Sequence, residues 1–238
     1  VADATLDCEE SGDVAGKAIA SGGDLTGDGL DDIVVGAYGN GWGALYVVAE
    51  PLGTVDLSDA GTKISADSAS DGLGYATPVL LDLDGDGWDD LLAGAVQGNG
   101  DAAESGAAYA WYGPLGPALA ATGADVTVLG EYTTDNAGYP VVCPGDLDGD
   151  GPVDLLLGAP GSDATGTSAG AAYVLYGPVR GTVSLRASDA VFRGASDLDY
   201  FGIAAAGGSD LTGDGSADLL FGAFGSNLGA VYLFNGPE

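Results

Sequence analysis

Four Asp-rich stretches hold the residues best suited to chemistry. They read Asp24-Leu-Thr-Gly-Asp-Gly-Leu-Asp-Asp32, Asp82-Leu-Asp-Gly-Asp-Gly-Trp-Asp-Asp90, Asp146-Leu-Asp-Gly-Asp-Gly-Pro-Val-Asp154 and Asp210-Leu-Thr-Gly-Asp-Gly-Ser-Ala-Asp218. Each puts an oxygen donor at its first, third, fifth and ninth places: Asp24, Thr26, Asp28 and Asp32; Asp82, Asp84, Asp86 and Asp90; Asp146, Asp148, Asp150 and Asp154; Asp210, Thr212, Asp214 and Asp218. Calcium takes about six to eight oxygens in flexible geometry, and the Gly at the sixth place lets the chain turn back around an ion. The seventh place holds Leu30, Trp88, Pro152 and Ser216, side chains with nothing in common, so its backbone carbonyl is the expected ligand. Up to four calcium ions are therefore expected, bound more weakly where Thr26 and Thr212 replace a carboxylate. Zinc would need His or Cys, and the chain has no His and two Cys. The twelfth place, where an EF-hand carries Glu, holds Val35, Ala93, Leu157 and Phe221, so the loops are expected to join strands rather than helices. Asp-Gly clusters are also ordinary turn formers, but four copies with the donor spacing kept favour a metal.

The elements that position these loops recur with them. The first Asp residues are 58, 64 and 64 residues apart, a period long enough for several strands. A Gly-containing segment such as Phe201-Gly-Ile-Ala-Ala-Ala precedes each loop. An apolar strand follows it: Asp32-Ile-Val-Val-Gly-Ala37, Asp90-Leu-Leu-Ala-Gly-Ala95, Asp154-Leu-Leu-Leu-Gly-Ala159 and Asp218-Leu-Leu-Phe-Gly-Ala223. Variable segments at 38–43, 96–106, 160–170 and 224–229 lead to third strands containing Tyr46, Tyr109, Tyr173 and Tyr232, and less apolar fourth strands are expected near 54–57, 125–129 and 189–193. Short apolar runs bounded by Gly, Pro and Asp read as strands, and small residues such as Gly36-Ala37 and Gly158-Ala159 would let sheets approach closely.

The fold class expected is all-β: a single domain over 1–238, a β-propeller of four four-stranded antiparallel blades. Blade 1 is placed at about 14–57, blade 2 at 72–129, blade 3 at 137–193 and blade 4 at 200–235. The last repeat ends after its third strand, whereas residues 2–8 resemble the fourth-strand segment Ser188–Gly194. The N-terminal strand is thus expected to complete the last blade and close the ring, with strand exchange between molecules, or membership of a larger ring, as the alternatives.

Phe201-Gly202, the Asp-rich loops, the Leu-Leu-Leu-Gly-Ala-Pro160 strand and the Gly-Ala-x-Tyr strands together resemble the FG-GAP repeat family, which builds the N-terminal β-propeller of integrin alpha chains. The resemblance covers nearly the whole chain. It implies calcium holding blades together on the face opposite the usual partner-binding face. Integrin propellers have seven blades where this chain encodes four, and sites matching Phe201-Gly202 read Ala15-Gly16, Leu73-Gly74 and Ala137-Gly138.

Composition narrows the functions. Thirty-six acidic residues against five basic give a formal charge of −31, which excludes a nucleic-acid groove. No apolar run reaches transmembrane length. The sequence opens at Val1 with no charged leader, so a signal has been removed by processing or lies outside it. Cys8 and Cys143 leave pairing open. Low-affinity calcium loops favour an extracellular or cell-surface setting, and the acidity also suits high salt.

The reading is a noncatalytic, calcium-stabilised adhesion or assembly module that binds a protein or glycan, or assembles with itself, through the variable loops opposite the calcium loops. Candidate residues there are Asp101, Glu104, Glu131, Asp135, Asp163, Asp197, Asp199, Tyr132 and Tyr139, with Trp42 as an aromatic to test for ligand contact and solvated loop charges as the bland alternative. One rival is a building block of a surface fibre assembled by strand exchange. The other is a carbohydrate-active secreted enzyme using carboxylates outside the four loops.

Overall fold

The computed structural model describes residues 3–67, 71–225 and 228–236. Val1 and Ala2, the latter in the expected N-terminal strand, residues 68–70, residues 226–227 of a variable segment, and Pro237-Glu238 lie outside the described residues. The chain is all-β, with nineteen described strands and three single 3-10 turns.

Four antiparallel sheets succeed one another along the chain. The first contains β2 (Ala15–Gly23), β3 (Asp32–Ala37), β4 (Ala44–Val48) and β6 (Thr62–Ser65), and is preceded by β1 (Ala4–Asp7) and interrupted by β5 (Gly53–Asp56). The second contains β7 (Val79–Leu81), β8 (Asp90–Ala95), β9 (Ala107–Trp111) and β11 (Val126–Leu129), with β10 (Ala118–Ala120) between the last two. The third runs β12 (Val141–Gly145), β13 (Asp154–Ala159), β14 (Ala171–Leu175) and β16 (Ala190–Arg193), with β15 (Gly181–Ser184) between. The fourth has β17 (Ala204–Ser209), β18 (Asp218–Ala223) and β19 (Ala230–Phe234).

The interposed strands stitch neighbouring sheets together. β10 pairs in parallel with β6, and β15 with β11, so each sheet sends a short strand back to the outer edge of the one before it. β5 does the same with β1. This corrects two expectations. The segment near 54–57 is a strand, but β4 pairs with β6 at 62–65, so the fourth strand of the first sheet lies further on and the boundary at 57 is too early. β1 pairs with β5 and not with β19, so the expected closure through the N-terminal strand is not formed; its fourth-strand character is used as a fourth strand is used elsewhere, as the edge on which the next sheet's short strand lies. Phe201-Gly202 also sits ahead of its strand, in a turn bridged to Gly170.

Alternation along each middle strand feeds two cores. Leu155 and Leu157 pack with Leu92, Val126 and Val128 of the second sheet, while Leu156 packs with Leu219 and Phe221 of the fourth. Val34, Leu45 and Ile64 pack against Leu91 and Trp111 in the same way. Behind the first sheet, Val35, Tyr46 and Val48 are covered by Leu6, Val55 and Leu57. Backbone contact between sheets explains the small residues: a Cβ on Gly36, Gly94 or Gly158 would collide with the carbonyl of Gly74, Gly138 or Gly202 of the next sheet. Among the described residues nothing covers the far face of the fourth sheet. Val231 is 74% exposed and Leu233 47%, whereas their counterparts Ala172 and Val174 are buried against the next sheet.

Candidate metal centres and the opposite face

Each Asp-rich loop joins the first strand of a sheet to its second, and the backbone winds tightly around carboxylates. The first Asp is the hub. Asp24 accepts from the N–H of Gly27 at 2.7 Å, Asp28 at 3.1 Å and Gly29 at 2.8 Å. Asp82 accepts from Gly85 and Gly87, Asp146 from Gly149, Asp150 and Gly151, and Asp210 from Gly213, Asp214 and Gly215. Both loop glycines lie at positive φ, 77° and 89° at Gly27 and Gly29, a region that a side chain strains.

The ninth Asp opens the second strand and is buried: Asp32, Asp90 and Asp154 are 0% exposed and Asp218 1%. Its carboxylate ties the loop to the sheet. Asp90 accepts from Leu83 N–H at 2.8 Å and, across the sheet, from Gly113 N–H at 2.8 Å; Asp154 accepts from Leu147 at 2.6 Å and Gly177 at 2.7 Å. Burial raises the pKa of Asp32, Asp90 and Asp154 above the usual carboxylate value, and the accepted N–H bonds pull in the other direction.

The fifth Asp accepts the N–H of the seventh residue at Leu30, Trp88 and Ser216. Pro152 has no N–H to give. Asp150 is raised above the usual range, by desolvation and then by the charge of Asp148.

These loops gather oxygen and no softer donor. The carboxylates of Asp82, Asp84 and Asp86 each offer an atom within 4.8 Å of the others, as do those of Asp146, Asp148 and Asp154. Two clusters of three acids with hard oxygens fit a calcium ion, which would also remove the repulsion among them. Among the described residues the first and fourth loops, with Thr26 and Thr212 in the third place, bring no such three acids together. Adjacent loops also touch: the N–H of Asp24 donates to Asp89 at 2.9 Å, and that of Leu115 to the Leu25 carbonyl at 2.7 Å. Leu25 in the second place is buried, whereas the equivalent Leu211 of the fourth loop, with no further sheet beside it among the described residues, is 56% exposed.

At the opposite ends of the strands lies a cavity of about 570 Å³. Tyr38, Tyr75, Tyr139, Tyr200 and Phe224 line it. Tyr75 stands 5.1 Å from Tyr38 and 5.6 Å from Tyr139 between ring centres, Tyr200 stacks on Phe224 at 5.3 Å, and the Lys17 ammonium lies 4.6 Å from the Tyr75 ring centre. Of the acidic and aromatic candidates read from the sequence, Tyr139 and Asp163 face this cavity. Three of the others brace their loops. Asp101 pairs with Arg186 at 3.2 Å, Asp197 accepts from Thr167 N–H and Asp199 from Ser196 N–H. Trp42 is 50% exposed and away from the cavity. Of the four third-strand tyrosines, Tyr46 and Tyr173 are buried in the cores, Tyr109 is partly buried against one, and Tyr232 is 37% exposed. Sequence reading missed Tyr38, Tyr75, Tyr200 and Phe224. The available signal was their register: Tyr75 and Tyr139 each follow the Gly that precedes a first strand, and Tyr38 and Phe224 each follow the Gly-Ala that ends a second.

Both cysteines are free thiols; burial pushes Cys143 up to about 12. No helix of the described residues is long and apolar enough to cross a membrane.

Residues 15–57 and 138–175 match the FG-GAP repeat. Two stretches of the chain, each with an Asp-rich loop, thus resemble FG-GAP repeats. It is similar to integrin alpha pat-2 of Caenorhabditis briggsae, 31% identical over 93% of this chain and 19% of that one, and to integrin alpha-5 of Xenopus laevis, 32% identical over 88% and 20%. It is also similar to the phosphatidylinositol-glycan-specific phospholipase D of Rattus norvegicus, 30% identical over 75% of this chain and 23% of that protein. The chain spans about a fifth of the length of the curated relatives it matches. Its likeness to integrin alpha chains runs across the repeats that carry the loops.

Proposed function

We propose that this chain is a noncatalytic, calcium-stabilised extracellular module for adhesion or assembly. Its four sheets act as successive blades of an open propeller arc. Each loop holds calcium through the donors at places one, three, five and nine and the carbonyl at place seven, up to four ions in all. The observation that carries the reading is the recurrence of one carboxylate-rich turn at the same corner of every sheet, hydrogen-bonded to the neighbouring turn where Asp24 meets Asp89. Calcium at such corners fixes the angle between blades, and so holds the loops at the other end in one arrangement.

Those loops would form the docking face for a protein or glycan, with the Tyr38, Tyr75, Tyr139, Tyr200 and Phe224 cavity at its centre. The test has two arms. Calcium titration with chelator reversal should raise and lower the melting temperature; no calcium response would remove the metal reading. Binding to immobilised protein and glycan panels should fall at least tenfold for Tyr75→Ser or Tyr139→Ser with calcium-dependent melting unchanged; unaffected binding would remove the cavity from the docking face.

A second reading, assembly through strand exchange, is favoured by the outer edge and exposed face of β19 together with the fourth-strand use of β1. In the repeated register, β1 of another molecule would lie against β19 as β16 lies against β14. Sedimentation with and without calcium discriminates: a monomer at all concentrations removes this reading.

A further inference from the structure

The corner beneath the fourth-to-first connection is built twice from the same parts but neutralised only once. In the first sheet Glu9 receives the Tyr46 hydroxyl at 2.5 Å and the Lys63 ammonium at 2.5 Å, while Asp13 receives the Asn40 amide at 3.0 Å. In the third sheet Glu131 receives the Tyr173 hydroxyl at 3.1 Å, so the carboxylate and the tyrosine are retained. The two nitrogen donors are not. Tyr46 faces Lys63 across its sheet, and Tyr173 faces Val191; Asn40, three residues beyond Ala37, is matched by Ser162, three beyond Ala159.

The consequence is visible in the hydrogen bonding. Asp135 is 1% exposed and Ser162 0%; Asp135 Oδ2 is buried without a hydrogen-bond partner, and Ser162 Oγ, buried beside the Tyr173 hydroxyl, makes no well-formed hydrogen bond. A buried carboxylate oxygen with no donor destabilises the fold, because the water it gave up is not replaced. The charges around it do not help. Glu131 and Asp163 both push the Asp135 pKa upward, to about 6, with desolvation as the main cause. Arg186 is the nearby cation, but its guanidinium is spent on Asp101, the Glu131 carbonyl and the face of Tyr132. A cavity of about 370 Å³ lined by Tyr132, Thr133, Asp135, Asp163 and Ala164 opens the corner to solvent.

We propose that Asp135 Oδ2, Ser162 Oγ and the Glu131 carboxylate form a calcium site outside the four Asp-rich loops, in which the ion stands where the first sheet keeps the Lys63 ammonium and the Asn40 amide. Two carboxylates and a hydroxyl are hard oxygen donors, and a divalent ion matches their combined charge. The second sheet has a related cavity with Asp67 and Asp71, but there the Thr122 N–H donates to Asp67.

The test is calcium stoichiometry by isothermal titration, with calcium alone as the probe. Ser162→Asn supplies the missing amide and Val191→Lys the missing ammonium. Each should lower the number of ions bound by one, as should Asp135→Asn, and leave the heat of the remaining sites unchanged. An anomalous-scattering peak at Asp135 in calcium-soaked wild-type crystals should vanish in Ser162→Asn. Equal stoichiometry in wild type and all three variants, or electron density of a water alone at Asp135, would overturn the proposal. Because the loop sites stay intact in every variant, their occupancy is read separately in the same titration.

Discussion

The two ends of the sheets handle buried carboxylates differently. At the Asp-rich end every repeat meets its first carboxylate with backbone N–H groups of the loop itself, and in the second, third and fourth sheets the ninth Asp also takes an N–H from across the sheet. At the opposite end the corner carboxylates of the first sheet also depend on side-chain donors, Lys63 and Asn40, and the third sheet has Val191 and Ser162 at those places. Backbone donors survive any substitution except proline, so the first arrangement is copied faithfully along the chain. Side-chain donors are lost one substitution at a time, and a carboxylate can be left without them.

The largest effect should come from removing a buried ninth-place carboxylate. Asp90→Ala strands the N–H groups of Leu83 and Gly113 and should destabilise the calcium-free protein by about 3 kcal/mol in urea unfolding; a loss equal to that of the exposed Asp28→Ala would break the contrast between anchoring and rim carboxylates. Next comes the metal dependence. Asp86→Ala should shrink the calcium-induced rise in melting temperature, whereas Asp101→Ala, which loses a surface pair with Arg186, should leave that rise intact. Equal shrinkage would count against the loop ligands.

At the other end Asp135 gives a pH signature. Its folded pKa, about 6, lies above the unfolded value of 3.8, chiefly through burial and then through Glu131 and Asp163, with Arg186 and the Tyr132 N–H opposing. The folded state therefore holds a proton more tightly, and stability falls as pH rises from about 4 through 6. In chelator, Asp135→Asn should stabilise by about 1–2 kcal/mol at pH 7.5, allowing for solvent screening, and by almost nothing at pH 4. A gain independent of pH would mean that the charge is not the cause. The smallest effect is Thr26→Asp, which gives the first loop the donor set of the second and should tighten its calcium affinity about tenfold, worth about 1.4 kcal/mol; unchanged affinity would mean that the third place is not a ligand.

Much of the loop end was legible because its chemistry is local. Nine consecutive residues contain the hub, the turn glycines and the anchor, and the second-strand runs such as Asp154–Ala159 are apolar on both faces since both faces are covered. Partner choice was not legible. Gly53–Asp56 and Thr62–Ser65 are both four-residue strands, and nothing in their patterns says that the first leaves the sheet for β1 while the second stays with β4. The aromatic cavity was hidden for a similar reason: Tyr38, Tyr75, Tyr139, Tyr200 and Phe224 come from five separate connections.

By itself the sequence determined the all-β class, the repeated turn and the oxygen donors that a hard cation could use, because strand patterning and donor spacing act within a few residues. Tertiary structure alone decided which edge each short strand lies on, that β1 lies against β5, and that Asp135 Oδ2 is buried without a hydrogen-bond partner. Those outcomes depend on packing between residues far apart in the chain, where a strand's alternation fixes which face is buried but not the neighbour that buries it.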